Sequence, residues 1–377
     1  MKKMRDATAG DMIEINAARG HFVRVPGFPA PGTRTQSPLR AAISIMSLVS
    51  ALAVPARADF RDEPAVKELY AKAKAEGQVM IWGPSRGEVE WVPAAFAKAF
   101  PGVEVKFVGD NDVMTKAIAE ARAGRNEVDV MWNSITATVP MMQRDLGVAI
   151  DWKSFGLAPE ATGFEGRMGY SNKVAYAVAF MADKAIPEDA PKFWEDALAD
   201  KYRGKMVASL FLLPRLAGAL SLAWGEQRAT QFARDLVTKA DLMLTKAPRE
   251  SFIESGERLF ALGEIDTGFR RQIREGKKFG LALPEPVVLA QFGASVFGKA
   301  PHPAAARLLA GWLVTPEGRS ARGAATGNLD YEKGTRDPFA QKLLSGEIKA
   351  VFDLPSNMAA REEAIRKIGP IVAGQAR

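Results

Sequence analysis

Short apolar strands alternate with helical patterns between residues 62 and 140, and this order constrains the fold more than any other feature of the chain. Apolar runs that predict strands lie at residues 78–82, 103–108 and 128–132. Apolar residues at helical spacing flank and separate these runs, at about residues 62–76, 88–100 and 112–123 and from about residue 136. This alternation predicts a mostly parallel sheet with helices on both faces, which is an α/β fold.

The rest of the chain continues the alternation. An apolar run at residues 174–180 predicts a segment that crosses between two lobes. The further predicted elements are helices at about 216–224, 228–237 and 255–262, a returning strand at 280–283, and charged helices within 337–373. A chain of this length is long enough to bury two hydrophobic cores.

The N-terminal region predicts a secreted protein. An apolar run at residues 41–54 follows Arg34 and Arg40 and precedes small residues at 55–58, as in a signal peptide. We predict a leader over residues 1–58 with cleavage after Ala58, which would release a periplasmic protein. The run is shorter than the ~20 apolar residues of a membrane span, and a membrane anchor would have to be this same run left uncleaved. The chain has no cysteine to carry a lipid.

Charge gives little support to a nucleic-acid partner. The whole chain has a formal net charge of +7. Eight basic and three acidic residues lie in the leader, so the remainder has 43 basic and 41 acidic residues and a net charge of +2. No basic run interleaved with aromatic residues replaces the lost excess. We therefore expect no nucleic acid among the partners.

The usual catalytic and metal-binding motifs are absent. The chain has no cysteine, and His302 is the one histidine after the leader. It lies between two prolines ahead of a predicted helix, which disfavours a Ser/His/Asp triad or a zinc site. No Walker loop, nucleophile elbow or dinucleotide fingerprint occurs. Carboxylate-only sites stay open, but we predict a protein that is not an enzyme and has no cofactor and no bound metal.

Two segments resemble one family. Residues 299–321 read KAPHPAAARLLAGWLVTPEGRSA, in which prolines precede an apolar-faced helix at 304–314 and a Thr-Pro-Glu-Gly stop follows it. Residues 191–209 read PKFWEDALADKYRGKMVAS. Both resemble segments of bacterial ABC-transporter extracellular solute-binding proteins of the iron, thiamine and phosphonate type. His302 belongs to the first of these segments, so it is not expected to bind a metal.

The resemblance implies a type II periplasmic binding protein, with two α/β lobes, a ligand cleft between them and two crossing segments. We place lobe 1 at residues 59–175 plus about 284–335, and lobe 2 at residues 176–283 plus about 336–377. The implied partners are a small solute and the transmembrane subunits of an ABC permease, and the protein is expected to be a monomer. In open α/β sheets, ligands bind beyond the carboxyl ends of the strands.

Eight residues in loops after strands are candidates for ligand binding: Ser85, Arg86, Trp132, Asn133, Ser134, Arg215, Phe269 and Arg270. The three arginines would neutralise an anionic ligand, and the small polar residues would orient it. Phe269 or Trp132 would supply an apolar wall. Competing interpretations are a plain Ser85/Glu88 capping box beside a solvated arginine, a buried Trp132, and a solvated face at the adjacent arginines.

The resemblance also bears on the ligand. Ferric-ion-binding members of the family carry a histidine at the position of Arg86, a glutamate at that of Ser134 and a tyrosine pair near Phe269. Fe(III) prefers anionic oxygen ligands, so arginines at these positions favour a small anionic organic solute, such as a phosphonate, a sugar phosphate or a carboxylate. A ferric or ferric-chelate ligand remains the alternative if Tyr170, Tyr176 or Tyr331 enters the cleft. An enzyme or a sensor on the same fold is a further alternative.

Overall fold

The computed structural model describes residues 60–374, apart from Asn111 and Asp353. The predicted signal peptide and its cleavage site at Ala58 lie outside the described residues. The strands are β1 Gln78–Gly83, β2 Glu104–Gly109, β3 Val130–Ser134, β4 Thr162–Gly163, β5 Met168–Met181, β6 Met206–Ser209, β7 Met243–Thr245, β8 Phe260–Ile265, β9 Phe279–Ala282, β10 Val287–Val296 and β11 Ala350–Phe352.

The α-helices lie between and after these strands. They are α1 Pro64–Glu76, α2 Arg86–Val89, α3 Val92–Ala99, α4 Val113–Arg122, α5 Ile135–Met142, α6 Leu212–Trp224, α7 Glu226–Thr238, α8 Arg249–Ser255, α9 Asp266–Arg274, α10 Pro303–Val314, α11 Pro316–Thr326, α12 Pro338–Ser345 and α13 Met358–Ala373. The predicted α/β fold class is confirmed. None of the helices in residues 60–374 is long and apolar enough to cross a bilayer.

The strands form one mixed sheet in the order β2-β1-β3-β10-β5-β8-β6-β7. β1 is parallel to β2 and β3, and β6 is parallel to β7 and β8. β10 is antiparallel to both β3 and β5, and β5 is antiparallel to β8. The two parallel groups match the βαβ pattern of the sequence. Of the two strands that join them, β10 is antiparallel to the first group and β5 is antiparallel to the second.

The long strand β5 joins the two groups. Residues 169–175 pair with β10, and residues 176–181 pair with β8 and β9. We call the elements around β1, β2, β3 and β10 the N-lobe, and those around β6, β7, β8 and β9 the C-lobe. The limits of the lobes along the rest of the chain stay a prediction.

Helix α10 shows how the 299–321 segment packs. Pro303 occupies its first turn, and Leu308, Leu309, Trp312 and Leu313 are buried in the N-lobe core. The carboxylate of Glu76, at the end of α1, accepts hydrogen bonds from the amides of Ala304 (3.0 Å) and Ala305 (2.8 Å). These amides have no acceptor within the helix, so the carboxylate supplies one. Its negative charge also interacts favourably with the positive end of the helix dipole.

His302 is held by buried polar groups. Its Nδ1 lies 2.8 Å from Asp129 Oδ2, and its Nε2 lies 3.0 Å from Gln78 Nε2. Asp129 is fully buried and also accepts hydrogen bonds from the backbone amides of His302 and Met80, each within 2.8 Å. Both ring nitrogens thus contact side chains of the sheet region, and His302 holds its loop against the strands.

Several elements differ from the sequence-based expectation, and three of them show why. The helix predicted at 255–262 is wrong: Gly256, at φ 81°, ends α8, and residues 260–262 belong to β8. The helix predicted at 88–100 is two helices, with Pro93 in the first turn of the second. β10 was not predicted, because all ten of its residues are buried and show no alternation.

Candidate ligand site between the lobes

The two lobes meet at the short helix α2. This helix follows β1 of the N-lobe, and α9, which follows β8 of the C-lobe, lies against it. Arg271 Nη1 of α9 is 3.1 Å from Glu90 Oε1, directly after α2. A methyl group added to Gly87 would lie 3.3 Å from Arg271 Nε. The absence of a side chain at Gly87 therefore lets the C-lobe arginine rest on the N-lobe backbone.

Ser85 and Arg86 lie at the exposed edge of this contact. Arg86 Nε donates to Glu90 Oε2 at 2.8 Å, and the Arg86 side chain is 77% exposed. Ser85 occupies the N-cap position of α2, but its hydroxyl makes no capping hydrogen bond. The capping box predicted from Ser85 and Glu88 is therefore wrong, because the Glu88 carboxylate pairs with Arg322 instead.

Asn133 and Ser134 act mainly on the local backbone. Asn133 is 5% exposed, and its Oδ1 accepts a hydrogen bond from the Ser134 amide at 2.8 Å. Ser134 Oγ accepts one from the Ala137 amide at 3.3 Å and so caps α5. Ser134 is therefore a helix cap, and any contact of these two residues with a ligand stays a prediction.

Trp132 and Phe269, the two side chains predicted to form an apolar wall for the ligand, are buried in the cores instead, so this prediction is wrong. Trp132 is fully buried in the N-lobe, where its Nε1 donates to Ser171 Oγ at 2.8 Å and its ring packs edge-on against Trp91. Phe269 is 2% exposed and packs edge-on against Phe279 in the C-lobe core, with 5.1 Å between ring centres. Both rings face inward because the strand and helix that carry them turn those positions to the core.

Arg270 is held inside a buried cluster. Its Nε donates to Asp266 Oδ2 at 2.8 Å, and the Tyr331 hydroxyl lies 3.3 Å from the same oxygen. Asp266 Oδ1 also accepts a hydrogen bond from the Ala175 amide of the crossing strand β5. Burial opposes the charge on Arg270, but Asp266 and Tyr331 outweigh it and raise its pKa. Burial and the Asp266 charge raise the pKa of Tyr331, so its hydroxyl keeps its proton.

Arg215 lies away from this contact. It is on α6 of the C-lobe, where its backbone carbonyl accepts a hydrogen bond from Arg361 Nη2 of α13 at 3.3 Å. Its side chain is partly exposed. Among the described residues, no hydrogen bond or ion pair joins Arg215 to α2, α9 or α11. The structure therefore places Ser85 and Arg86 at the lobe contact. Arg270 is on α9 next to the contact residue Arg271 but turns to Asp266, and Arg215 lies elsewhere.

Arg322 was not predicted, yet it lies at the centre of the lobe contact. It is 3% exposed, and its Nη2 donates to Glu88 Oε2 at 3.2 Å and to Thr267 Oγ1 at 3.0 Å. Its guanidinium carbon lies 5.6 Å from the centre of the Trp132 ring. The only indication in the sequence is its spacing. Gly318 and Thr326 lie four residues before and after Arg322, and all three are buried on the same face of α11.

The described residues contain no group of three or more His, Cys, Asp or Glu side chains arranged to hold a metal ion. A surface groove of about 570 Å³ lies elsewhere, beside the α6–α7 junction, and Trp224 and the ion pair between Arg228 and Glu195 line it. Two separate features thus stand out: the arginine-rich lobe contact, which holds most of the predicted loops, and this open groove on the C-lobe.

No protein-family model matches the sequence, and no curated protein matches it. Solved structures do. Iron-bound HitA from Pseudomonas aeruginosa has a TM-score of 0.64 and 16% identity, covering 78% of this chain and 99% of HitA. AfuA from Actinobacillus pleuropneumoniae, with fructose-6-phosphate bound, has a TM-score of 0.64 and 16% identity over 79% of this chain and 98% of AfuA.

A substrate-binding protein of an ABC transporter from Agrobacterium tumefaciens is similar as well, with a TM-score of 0.63 and 12% identity over 80% of this chain and 96% of that one. Identities this low establish the fold alone. The crossing strands, the two parallel groups and these similarities agree. The chain therefore has the type II periplasmic binding protein fold, which is the fold of the periplasmic substrate-binding proteins of ABC transporters.

Proposed function

We propose that this chain is the periplasmic substrate-binding component of an ABC importer, and that it captures a small anionic organic solute between its lobes. A phosphonate, a sugar phosphate or a carboxylate fits this description. The solute would be delivered to the permease unchanged, with no covalent step. The fold supports the transport role, and the arginines at the lobe contact support the charge of the solute.

The observation that carries the proposal is a pair of unfilled donors. Arg271 Nε and Arg322 Nε are buried, and neither has a hydrogen-bond acceptor in the described part of the chain. Both side chains lie against the same short helix, Arg271 at Gly87 and Arg322 at Glu88. A buried N–H group without a partner costs roughly 1–3 kcal/mol, and an oxyanion bound here would remove that cost.

The arginines at the contact already bind carboxylates. Arg86 is the first residue of α2, and Arg271 and Arg322 lie against this helix. Glu90 pairs with Arg86 and Arg271, Glu88 pairs with Arg322, and Glu275 also pairs with Arg271. Glu90 already shows how an oxyanion is held, because one of its oxygens accepts a hydrogen bond from Arg86 of the N-lobe and the other forms an ion pair with Arg271 of the C-lobe. A solute carboxylate or phosphate with similar contacts would bind both lobes at once. Such differential contact is what favours the closed state over the open one.

A thermal-shift screen tests the proposal. The set contains phosphonates, sugar phosphates, carboxylates, thiamine, polyamines and Fe(III), and a ligand that binds only the folded state raises Tm. We expect the largest rise from an anionic organic compound. Titration calorimetry then compares its affinity for the unaltered protein, Arg271→Ala and the surface control Arg228→Ala. Stabilisation by thiamine or polyamines alone, or an Arg271→Ala protein that binds as the control does, would contradict the proposal.

Ferric iron is the second candidate, supported by Tyr331. This tyrosine reaches the region where the sequence has no tyrosine pair, and its hydroxyl lies 3.3 Å from Asp266 Oδ2. HitA, which has the same fold, is iron-bound. The raised pKa of Tyr331 opposes tyrosinate formation. We therefore expect no visible charge-transfer band when Fe(III) is added with or without citrate. A band that disappears in Tyr331→Phe would establish the ferric alternative.

The periplasmic location follows from the leader and is tested separately. The full chain and a variant lacking residues 1–58 are expressed in a Gram-negative host, and the protein is assayed in the periplasmic and cytoplasmic fractions. We expect only the full chain in the periplasm, shortened to begin at Asp59. A full chain retained in the cytoplasm would refute the prediction that residues 1–58 form a cleaved leader.

A further inference from the structure

We propose that Arg322 is the buried anion-binding residue of the cleft, and that Glu88 occupies it in the unliganded protein as an internal competitor. The solute displaces the Glu88 carboxylate from the guanidinium. This inference rests on the anionic solute of the proposed function, and it adds the contact residue and the exchange that controls affinity.

Burial makes this ion pair unlike the others at the lobe contact. Arg322 is 3% exposed and Glu88 is 6% exposed. By contrast, the side chain of Arg86 is 77% exposed, so its pairing with Glu90 is solvated. Solvated ion pairs contribute little, whereas a buried charge that loses its partner is costly. Arg322 therefore needs an anion close to it in any closed state of the protein.

The pairing with Glu88 is incomplete. Guanidinium and carboxylate groups pair best through two parallel hydrogen bonds, commonly from Nε and one Nη. Here only Nη2 contacts Glu88, at 3.2 Å, and the same atom also donates to Thr267 Oγ1. Nε is buried and empty. A free oxyanion with two oxygens in the guanidinium plane could accept from both Nε and Nη2, whereas the tethered Glu88 accepts from Nη2 alone.

The Trp132 ring supports the position of the guanidinium. The guanidinium carbon lies 5.6 Å from the ring centre, and the indole is fixed by its own hydrogen bond to Ser171 Oγ. A cation beside a rigid aromatic ring keeps its orientation when its anion is exchanged. Carboxylate and phosphate groups share the oxyanion chemistry required here, so the ligand could present either one to Arg322.

The same contacts join the lobes. Glu88 belongs to α2 of the N-lobe, Arg322 to α11, which packs on α3 and α10 of that lobe, and Thr267 to α9 of the C-lobe. Arg322 thus bridges both lobes while its anion site is filled by Glu88. Because the competent form of the site requires Glu88 to leave, the apparent affinity is reduced by the fraction of molecules in which it has left.

The test compares Glu88→Gln, Arg322→Gln and the control Glu195→Gln, which removes an exposed Arg–Glu pair on the C-lobe surface. Small-angle X-ray scattering measures the radius of gyration without ligand. Calorimetry measures binding of two probes, inorganic phosphate and succinate. We expect Glu88→Gln to have a larger radius of gyration than the control and to bind at least one probe about tenfold more tightly. Arg322→Gln should bind neither.

The outcomes separate the two claims. Glu88→Gln is predicted to gain affinity, which misfolding does not imitate, so a poorly folded Arg322→Gln does not weaken the test. Tighter binding of succinate assigns a carboxylate, and tighter binding of phosphate assigns a phosphate group. Glu88→Gln with the control's radius and affinity overturns the exchange. An anionic ligand from the thermal-shift screen that binds Arg322→Gln normally would retain the proposed function and remove Arg322 from it.

A larger radius without binding of either probe has a different meaning. It would keep the contact between Glu88 and Arg322 as a link between the lobes, and it would overturn the anion-binding role of Arg322. The anionic solute of the proposed function is decided separately, by the thermal-shift screen.

Discussion

Removing the carboxylate at the start of α10 should destabilise the N-lobe by a predictable amount. Glu76, the last residue of α1, accepts hydrogen bonds from the amides of Ala304 at 3.0 Å and Ala305 at 2.8 Å. His302, which precedes the helix, makes no side-chain cap of its own. In Glu76→Ala both amides lose their acceptor, while alanine suits the end of α1.

The magnitude follows from two contributions. Loss of a capping side chain costs about 1 kcal/mol. Loss of a negative charge beside the first turn adds about 0.3–1 kcal/mol, and the partly buried position of both amides moves the sum toward the upper end, to about 2 kcal/mol. For the roughly 320 residues that follow the predicted leader, the entropy of unfolding near Tm is roughly 0.7 kcal/mol/K, so Tm falls by about 3 °C.

Urea denaturation and differential scanning calorimetry measure both quantities. The matched control is Glu68→Ala on the same helix, which removes an exposed (i,i+4) pair with Lys72 and should cost no more than about 0.5 kcal/mol. If Glu76→Ala and Glu68→Ala have the same free energy of unfolding, the capping argument is refuted.

Three further predictions concern affinity, a buried carboxylate and alkaline pH. Arg86→Ala should lower affinity for the anionic solute roughly tenfold with Tm unchanged, because its side chain is 77% exposed; calorimetry against Arg228→Ala checks this, and unchanged affinity contradicts it. Asp129→Asn should lower the free energy of unfolding by about 3 kcal/mol, because the fully buried carboxylate contacts two backbone amides and the His302 ring. A decrease below about 1 kcal/mol in urea denaturation would contradict this stabilising role of Asp129. Burial raises the pKa of Tyr170 to about 12, above its value in the unfolded chain. The contribution of Tyr170 to stability is therefore complete below about pH 10 and is lost as the pH rises through 12. Tyr170→Phe should lose less stability than the unaltered protein over this range, and equal losses would count against the assignment.

The elements that were correctly predicted have strong local signals. β1 ends at a Gly-Pro pair. α10 combines a proline in its first turn with leucines and a tryptophan at helical spacing. Local sequence also predicted that the loops after β1 and β3 would lie at one edge of the sheet, because carboxyl ends of parallel strands meet there. The loop after β1 lies at the lobe contact through Arg86, and the end of β3 lies near it, because the Trp132 ring centre is 5.6 Å from the guanidinium carbon of Arg322.

Side-chain direction was the part that local sequence did not provide. Phe269 and Arg270 are adjacent, yet one ring enters the C-lobe core and one guanidinium turns to Asp266. Their assignments depended on the phase of α9, which is set by its packing against β5 and β9 rather than by its own residues. Trp132 likewise turns inward because β3 is flanked by β1 and β10. A loop can be located from sequence, but its inward and outward faces depend on its neighbours.

The sequence by itself determined the α/β class, the alternation that builds two parallel groups, the near balance of charge outside the leader, and the absence of cysteine chemistry. These depend on composition and on periodicities that are local in the chain. The tertiary structure alone decided that Arg322 and Glu88, 234 residues apart, form a buried pair between the lobes. No local pattern distinguishes an arginine that faces water from one that faces a buried carboxylate, because that difference is created only when distant helices pack together.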